Sequence, residues 1–271
     1  MRFATLLLAL ALPLSARSPL RLYVFDCGKL TVDDPSRFDF KKEELKVLDL
    51  AVPCYLIVHP KGSLMWDTGV VPDNLFPAGG GAAHKEYATS LRPLRAQMAE
   101  VGFKPENITY LALSHYHWDH VGNAWQFSHS KWLVSKIEYD QMFSSDPPPR
   151  TDAALFAPLK KTKTVFLPDQ DYDVFGDGTV VIKPTPGHTP GHRVLFLKLE
   201  HTGPIVLAGD LYHYREELTT GRVMKTDPDQ AKVRASRAAL DEFLKQTGAQ
   251  LWIQHELVAF QAEKKSPQYY D

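Results

Sequence analysis

Residues 111–123, LALSHYHWDHVGN, constrain this chain more than any other stretch. An apolar run, read as the buried strand ITYLALS, stops and delivers His115, His117, Asp119 and His120 within six positions. Neutral imidazoles and a carboxylate suit zinc and similar divalent ions. The cluster is too dense for one ion, because adjacent Asp119 and His120 do not easily share one tetrahedron with His115 and His117. Two ions side by side resolve that geometry. Such a site needs more ligands, and the chain offers three in the same kind of place. His188 follows the strand VVIKPTP, Asp210 ends PIVLAGD, and His255 ends LWIQ. Each sits where an apolar strand runs out into a turn, so one edge of a sheet can gather them all.

The rest of the chain reads as strands alternating with helices, which points to α/β layers. RLYVFDC, VPCYLIVHP and LMWDTG are strand-like, with a turn at Pro60-Lys61-Gly62. Residues 72–90 read as a long loop, because three consecutive glycines and two prolines resist regular structure. LRPLRAQMAEVGF predicts an amphipathic helix closed near Gly102, and residues 229–246 predict another. DYDVFGDGTVVIKPTP predicts a hairpin with Asp177-Gly178 at its turn. No internal repeat and no shift in composition divides the chain.

With 271 residues, 44% hydrophobic and 23% charged, the composition is that of an ordinary globular protein. A net charge of −1 supplies no basic field for nucleic acid, and the KKTK run at Lys160–Lys163 reads as a solvated segment. Residues 1–18 differ from the rest: Arg2, the apolar TLLLALALPL and the small-residue exit SARS describe a signal peptide, cut after Ala16. That apolar stretch is too short to span a bilayer comfortably. The expectation is a soluble exported domain over 19–271, with no stable membrane span. Export permits a disulfide between Cys27 and Cys54, but two cysteines do not make a disulfide framework, and each sits in an apolar strand, so buried free thiols are the preferred of the two readings.

SHYHWDH matches the H-x-H-x-D-H signature of the metallo-β-lactamase superfamily, and His188, Asp210 and His255 match its later ligand positions in order. VPCYLIVHPKG followed by WDTG, TPGHTPGH, and the C-terminal QHELVAFQAEKKSPQYY look most like the N-acyl-homoserine lactone lactonase branch. The resemblance implies a four-layer αββα sandwich with two zinc ions at one edge. His115, His117 and His188 would hold one ion. Asp119, His120 and His255 would hold the other, and Asp210 would bridge them. Asp67 would orient a ligand histidine, and His192 would support the site without binding metal. In the lactonases that this chain resembles, a tyrosine three residues after the bridging aspartate assists the reacting carbonyl. Here that position is His213, in GDLYHYREE, which leaves the role open between Tyr212 and His213.

The implied reaction is metal-assisted hydrolysis of a small lactone, with Asp119 carrying a proton to the leaving alkoxide. No G-x-S-x-G elbow offers a serine alternative. Rivals on the same scaffold are a glyoxalase II type thioesterase, a β-lactamase and a phosphodiesterase; from another class, an exported metal-binding module without turnover. Trp118, Trp125 and Phe127 read as core packing, with an acyl pocket as the alternative. His59, His84, His129 and His201 read as ordinary loop or surface residues. The Asn107-Ile108-Thr109 sequon matters only in a eukaryotic host. The oligomeric state stays open, a homodimer included.

Overall fold

The computed structural model describes residues 20–271; the expected signal segment, 1–18, lies outside them. Along the chain run β1 (Arg21–Leu30), β2 (Leu50–His59), β3 (Gly62–Trp66), β4 (Ala83–Lys85), β5 (Ala88–Ser90), β6 (Tyr110–Ala112), β7 (Lys131–Ser135) and β8 (Thr164–Leu167). They are followed by β9 (Tyr172–Asp173), β10 (Val180–Pro184), β11 (Arg193–Leu199), β12 (Gly203–Leu207), β13 (Gln250–Trp252) and β14 (Tyr269–Tyr270). The helices are α1 (Leu94–Glu100), α2 (Lys136–Met142), α3 (Glu217–Thr220), α4 (Gln230–Thr247) and α5 (Leu257–Ala262).

Among the described residues the strands form two sheets. One runs β4-β5-β1-β2-β3-β6-β7-β8, with β14 also pairing β1; the other runs β13-β12-β11-β10-β9. Side chains alternate across a strand, and here both faces of each sheet are apolar. Leu22, Val24, Tyr55, Ile57 and Trp66 of the first sheet meet Ile182, Leu195, Leu197 and Leu207 of the second. On the first sheet's outer face, Phe25, Leu56 and Met65 pack with Met98 of α1 and Met142 of α2. On the second sheet's outer face, Val194 and Val206 pack with Val233 and Leu240 of α4. The result is the αββα sandwich that the resemblance implied. α4 begins where Asp229 accepts the Lys232 N–H at 2.9 Å, and ends at Gly248 in the left-handed region (φ 66°).

Three expectations change. Residues 72–90 are not wholly loop: β4 and β5 form a hairpin added to the edge of β1, with Lys29 opposite Thr89 and Leu30 opposite Ala88. Its turn was masked because Glu86 takes a positive φ of 51° without being glycine. Cys27 and Cys54 are not free thiols but a disulfide. Register explains it: Phe25 opposes Cys54, and a bulge between Asp26 and Lys29 brings Cys27 to a Cα separation of 5.8 Å. His59 is buried rather than superficial. It stacks on Phe175 at 4.1 Å, and its Nε2 lies 2.9 Å from the Asp177 carboxylate, pinning the β9–β10 turn.

Candidate metal centre

All seven ligand candidates arrive at one edge of the two sheets, because each follows a strand that ends there. His115, His117, Asp119 and His120 come after β6, His188 after β10, Asp210 after β12 and His255 after β13. All are buried. They fall into two groups that share Asp210: His115, His117, His188 and Asp210, and Asp119, His120, Asp210 and His255. Within each group the candidate ligand atoms lie within 4.8 Å of one another. His117 Nδ1 is 2.7 Å from His115 Nε2 and 3.0 Å from His188 Nε2. Asp210 Oδ1 is 2.9 Å from His120 Nε2 and 3.0 Å from His255 Nε2, while its Oδ2 is 3.2 Å from His188 Nε2.

This set fits divalent cations. Asp210 Oδ1, His120 Nε2 and His255 Nε2 are buried, converge, and yet make no hydrogen bond, which is costly unless a cation completes them. Burial holds the His115 and His117 imidazoles well below their usual range, helped by His120 at the first and by Arg150 at the second. Both are therefore neutral, with lone pairs free to ligate. Burial also opposes protonation of His120, but the Asp210, Asp67 and Asp119 carboxylates outweigh it and hold that imidazole well above its usual range. So much negative charge in a water-poor place calls for a cation.

A surrounding layer sets the ligands' orientation. Asp67, just past β3 and at a positive φ of 56°, accepts the Ser114 N–H at 2.7 Å and Gln254 Nε2 at 3.0 Å. Its Oδ2 lies 2.9 Å from His120 Nδ1, so the Nε2 of that ring faces the centre. Asp227 does the same for His188, with Oδ1 2.7 Å from Nδ1, and the Ala51 carbonyl for His255 at 2.6 Å. His192 belongs to neither group; its Nε2 accepts the Asp210 N–H at 2.9 Å. The motif loop is fastened to the WDTG loop, since the Thr68 N–H donates to the His120 carbonyl and the Gly122 N–H to the Gly69 carbonyl, both at 2.7 Å. A Cβ on Gly122 would lie 2.4 Å from Gly69 O, so only glycine permits that approach.

Ser114, Gln254 and Asp227 were not picked out from the sequence. Asp227 and Gln254 lie 39 and 187 residues from His188 and Asp67, the groups they support, so no local signal marks them.

Glu138 of α2 ties the TPGHTPGH loop in place by accepting the Gly191 N–H at 2.8 Å. Burial pushes its carboxyl up to about 7. The folded chain therefore keeps a proton that the unfolded chain releases near its ordinary value, so stability falls as pH rises toward 7. Glu138→Gln keeps the acceptor and removes the titration. Its melting temperature should vary less with pH than the parent's between about pH 5 and pH 8, a span worth at most about 3 kcal/mol. Parallel curves for the two proteins would rule this out.

Of the two candidates after Asp210, His213 faces the centre, with Nε2 3.2 Å from Asp210 Oδ2. Tyr212 turns the other way, into the cluster beneath α4, where the Arg237 guanidinium lies 4.2 Å from its ring centre. Burial works against charging His213, but Asp210 and Glu217 push it up to about 9. Glu217, buried and paired with Arg237, accepts the His213 backbone N–H at 3.2 Å.

A narrow cleft of about 20 Å³ opens onto Asp119, Asp210, His213 and His255, walled by Phe38, Tyr87 and Trp118 and by Arg37 and Arg150. Trp118 thus joins the core and also lines the cleft, whereas Phe127 is wholly core and Trp125 borders a different recess. Tyr87 comes from the turn of the β4–β5 hairpin, so the 72–90 segment contributes a wall of the cleft. His84 is exposed and pairs with Thr89 within that hairpin.

Comparison with known proteins bears on the family and the fold. The model of the metallo-beta-lactamase superfamily matches residues 47–251. The N-acyl homoserine lactonase AttM of Azorhizobium caulinodans is 31% identical over 244 residues, covering 82% of this chain and 88% of that one. A solved N-acyl homoserine lactone hydrolase, with the product N-hexanoyl-L-homoserine at its catalytic metal centre, superposes with a TM-score of 0.77. It is 23% identical, over 93% of this chain and 99% of that one. AidC, a dizinc quorum-quenching lactonase, superposes with a TM-score of 0.68 at 21% identity, over 93% and 94% of the two chains.

Proposed function

The chain belongs to the metallo-β-lactamase superfamily, and on that footing we propose that it is an exported dizinc lactonase acting on N-acyl-homoserine lactones. The observation that carries the reading is the pair of buried ligand groups sharing Asp210, set at the floor of a cleft that His213 also faces. The curated relative at 31% identity, a lactonase, supports the substrate class. His115, His117 and His188 would hold one zinc, Asp119, His120 and His255 the other, and Asp210 both. The chemistry zinc supplies when bound is Lewis acidity, together with a water acidic enough to attack at neutral pH.

The chain's own groups do the rest. His213, carrying a proton, donates a hydrogen bond to the lactone carbonyl oxygen as negative charge builds there. Asp119 Oδ2, 3.7 Å from both His120 Nε2 and His255 Nε2, stands at the cleft floor to hold a proton for the departing ring oxygen. Phe38, Tyr87 and Trp118 exclude water and pack against the substrate's acyl arm. Export is supported by the pattern of residues 1–18 and by the Cys27–Cys54 disulfide, which suits an oxidising compartment. No helix among the described residues is long and apolar enough to cross a membrane.

The test is a hydrolysis panel on zinc-loaded protein: acyl-homoserine lactones of several lengths, a cephalosporin, a phosphodiester and a thioester. Lactone opening should be fastest. Cleavage of the β-lactam without lactone opening would sink the reading. His213→Phe should retain zinc but lose about 100-fold in kcat, as expected for removing one oxyanion donor. Unchanged kcat would take the carbonyl role away from His213.

A further inference from the structure

Among the described residues, two arginines that line the cleft make no ion pair. Arg37, in the 3-10 turn Pro35–Phe38, and Arg150 both line the cleft that opens onto Asp210 and His213. Asp119 and Asp210 line the same cleft but lie against imidazoles, and other acids are already taken: Asp39 by Lys225 at 3.0 Å, Glu44 by Arg222 at 2.7 Å, and Asp152 by Lys85 at 2.6 Å. Arg37 Nε is buried with no hydrogen-bond partner; the guanidinium rests against the Phe38 ring at 4.7 Å and the Tyr87 ring at 5.9 Å. Arg150 is fixed by its backbone, where its carbonyl accepts the Trp118 N–H at 3.0 Å at a positive φ of 64°. Its guanidinium reaches only the Met224 sulfur, at 3.7 Å, a weak acceptor.

Holding two cations without acceptors in a partly buried cleft costs free energy, and the cost is recovered when a ligand brings the acceptors. A purely aliphatic acyl arm brings none. A carboxylate does, and a guanidinium fork matches it in shape and charge. We propose that the preferred substrate is a lactone whose acyl arm ends in a carboxylate, gripped by Arg37 and Arg150 while its ring lies over Asp210 and His213. This rests on the lactonase reading and narrows it.

The experiment compares ring opening of N-succinyl-L-homoserine lactone with that of its uncharged N-succinamoyl analogue, on the full zinc-loaded protein. The acid should be favoured by roughly 10- to 100-fold in kcat/KM, mostly through KM, as for a charge-assisted hydrogen bond gained. Added salt should shrink the ratio. Arg37→Gln and Arg150→Gln should each move the ratio toward one with zinc content and melting temperature unchanged, and Arg37→Lys should keep part of it. If both lactones open equally well, or the ratio ignores both arginine substitutions, the carboxylate proposal is overturned and the lactonase reading stands. If no lactone opens, charged or neutral, the lactonase reading fails and takes this proposal with it.

Discussion

Replacing Asp210 by asparagine should strip metal and activity together. Among the described residues, Asp210 alone belongs to both ligand groups, and four imidazoles lie within 3.2 Å of its carboxylate oxygens. Burial by itself would raise the carboxyl, but His120, His255, His115 and His188 hold it well below its usual range. Asparagine keeps the shape but removes the charge. Expected is a fall in kcat/KM of at least about 10³-fold, roughly 4 kcal/mol of transition-state stabilisation, with metal content after dialysis dropping well below two ions per chain. His117→Ala, which removes a ligand from one group only, should lose activity while keeping more metal. Robust activity in both variants at trace metal would refute the two-metal mechanism.

Opening the Cys27–Cys54 disulfide should have the largest effect on stability. Its partners are 27 residues apart, a loop for which chain-entropy arguments give about 3–4 kcal/mol. The bond also lies under the site. A Cβ on Gly69 would come within 2.6 Å of Cys27 Cβ, so the WDTG backbone rests directly on the disulfide. That loop supplies Asp67, which orients His120, and Thr68 and Gly69, which hold the motif loop. A Cys27→Ala, Cys54→Ala double variant should therefore melt well below the parent and release zinc at lower temperature. Calorimetry with a colorimetric zinc indicator reads both. A melting temperature unchanged after reduction, with two thiols titrated, would show that the bond bears no load.

Much of this was legible in the chain. Every ligand candidate follows an apolar run, and a run that ends in a turn announces a strand end without any knowledge of its partners. The alternation of strand and helix gave the layers, and Asp67 could be read from its motif. Other features depend on meetings of distant segments. Asp227 and Gln254 look like any polar residue until the fold sets them against His188 and Asp67. The disulfide was missed because two apolar strands with one cysteine each do not reveal that they are neighbours, nor that a bulge aligns the thiols. The β4–β5 hairpin was hidden by the glycines ahead of it and by an unusual backbone at Glu86.

What residue order alone determined is the set of candidate ligands and the chemistry they suit, since spacing and strand ends are local properties. What only the tertiary structure decided is orientation. Tyr212 and His213 are adjacent, yet successive side chains of an extended backbone point opposite ways, so packing beneath α4 takes the tyrosine and leaves the histidine facing Asp210. In the same way, only the folded chain brings Arg37 and Arg150, 113 positions apart, to one cleft and leaves both without an ion-pair partner among the described residues.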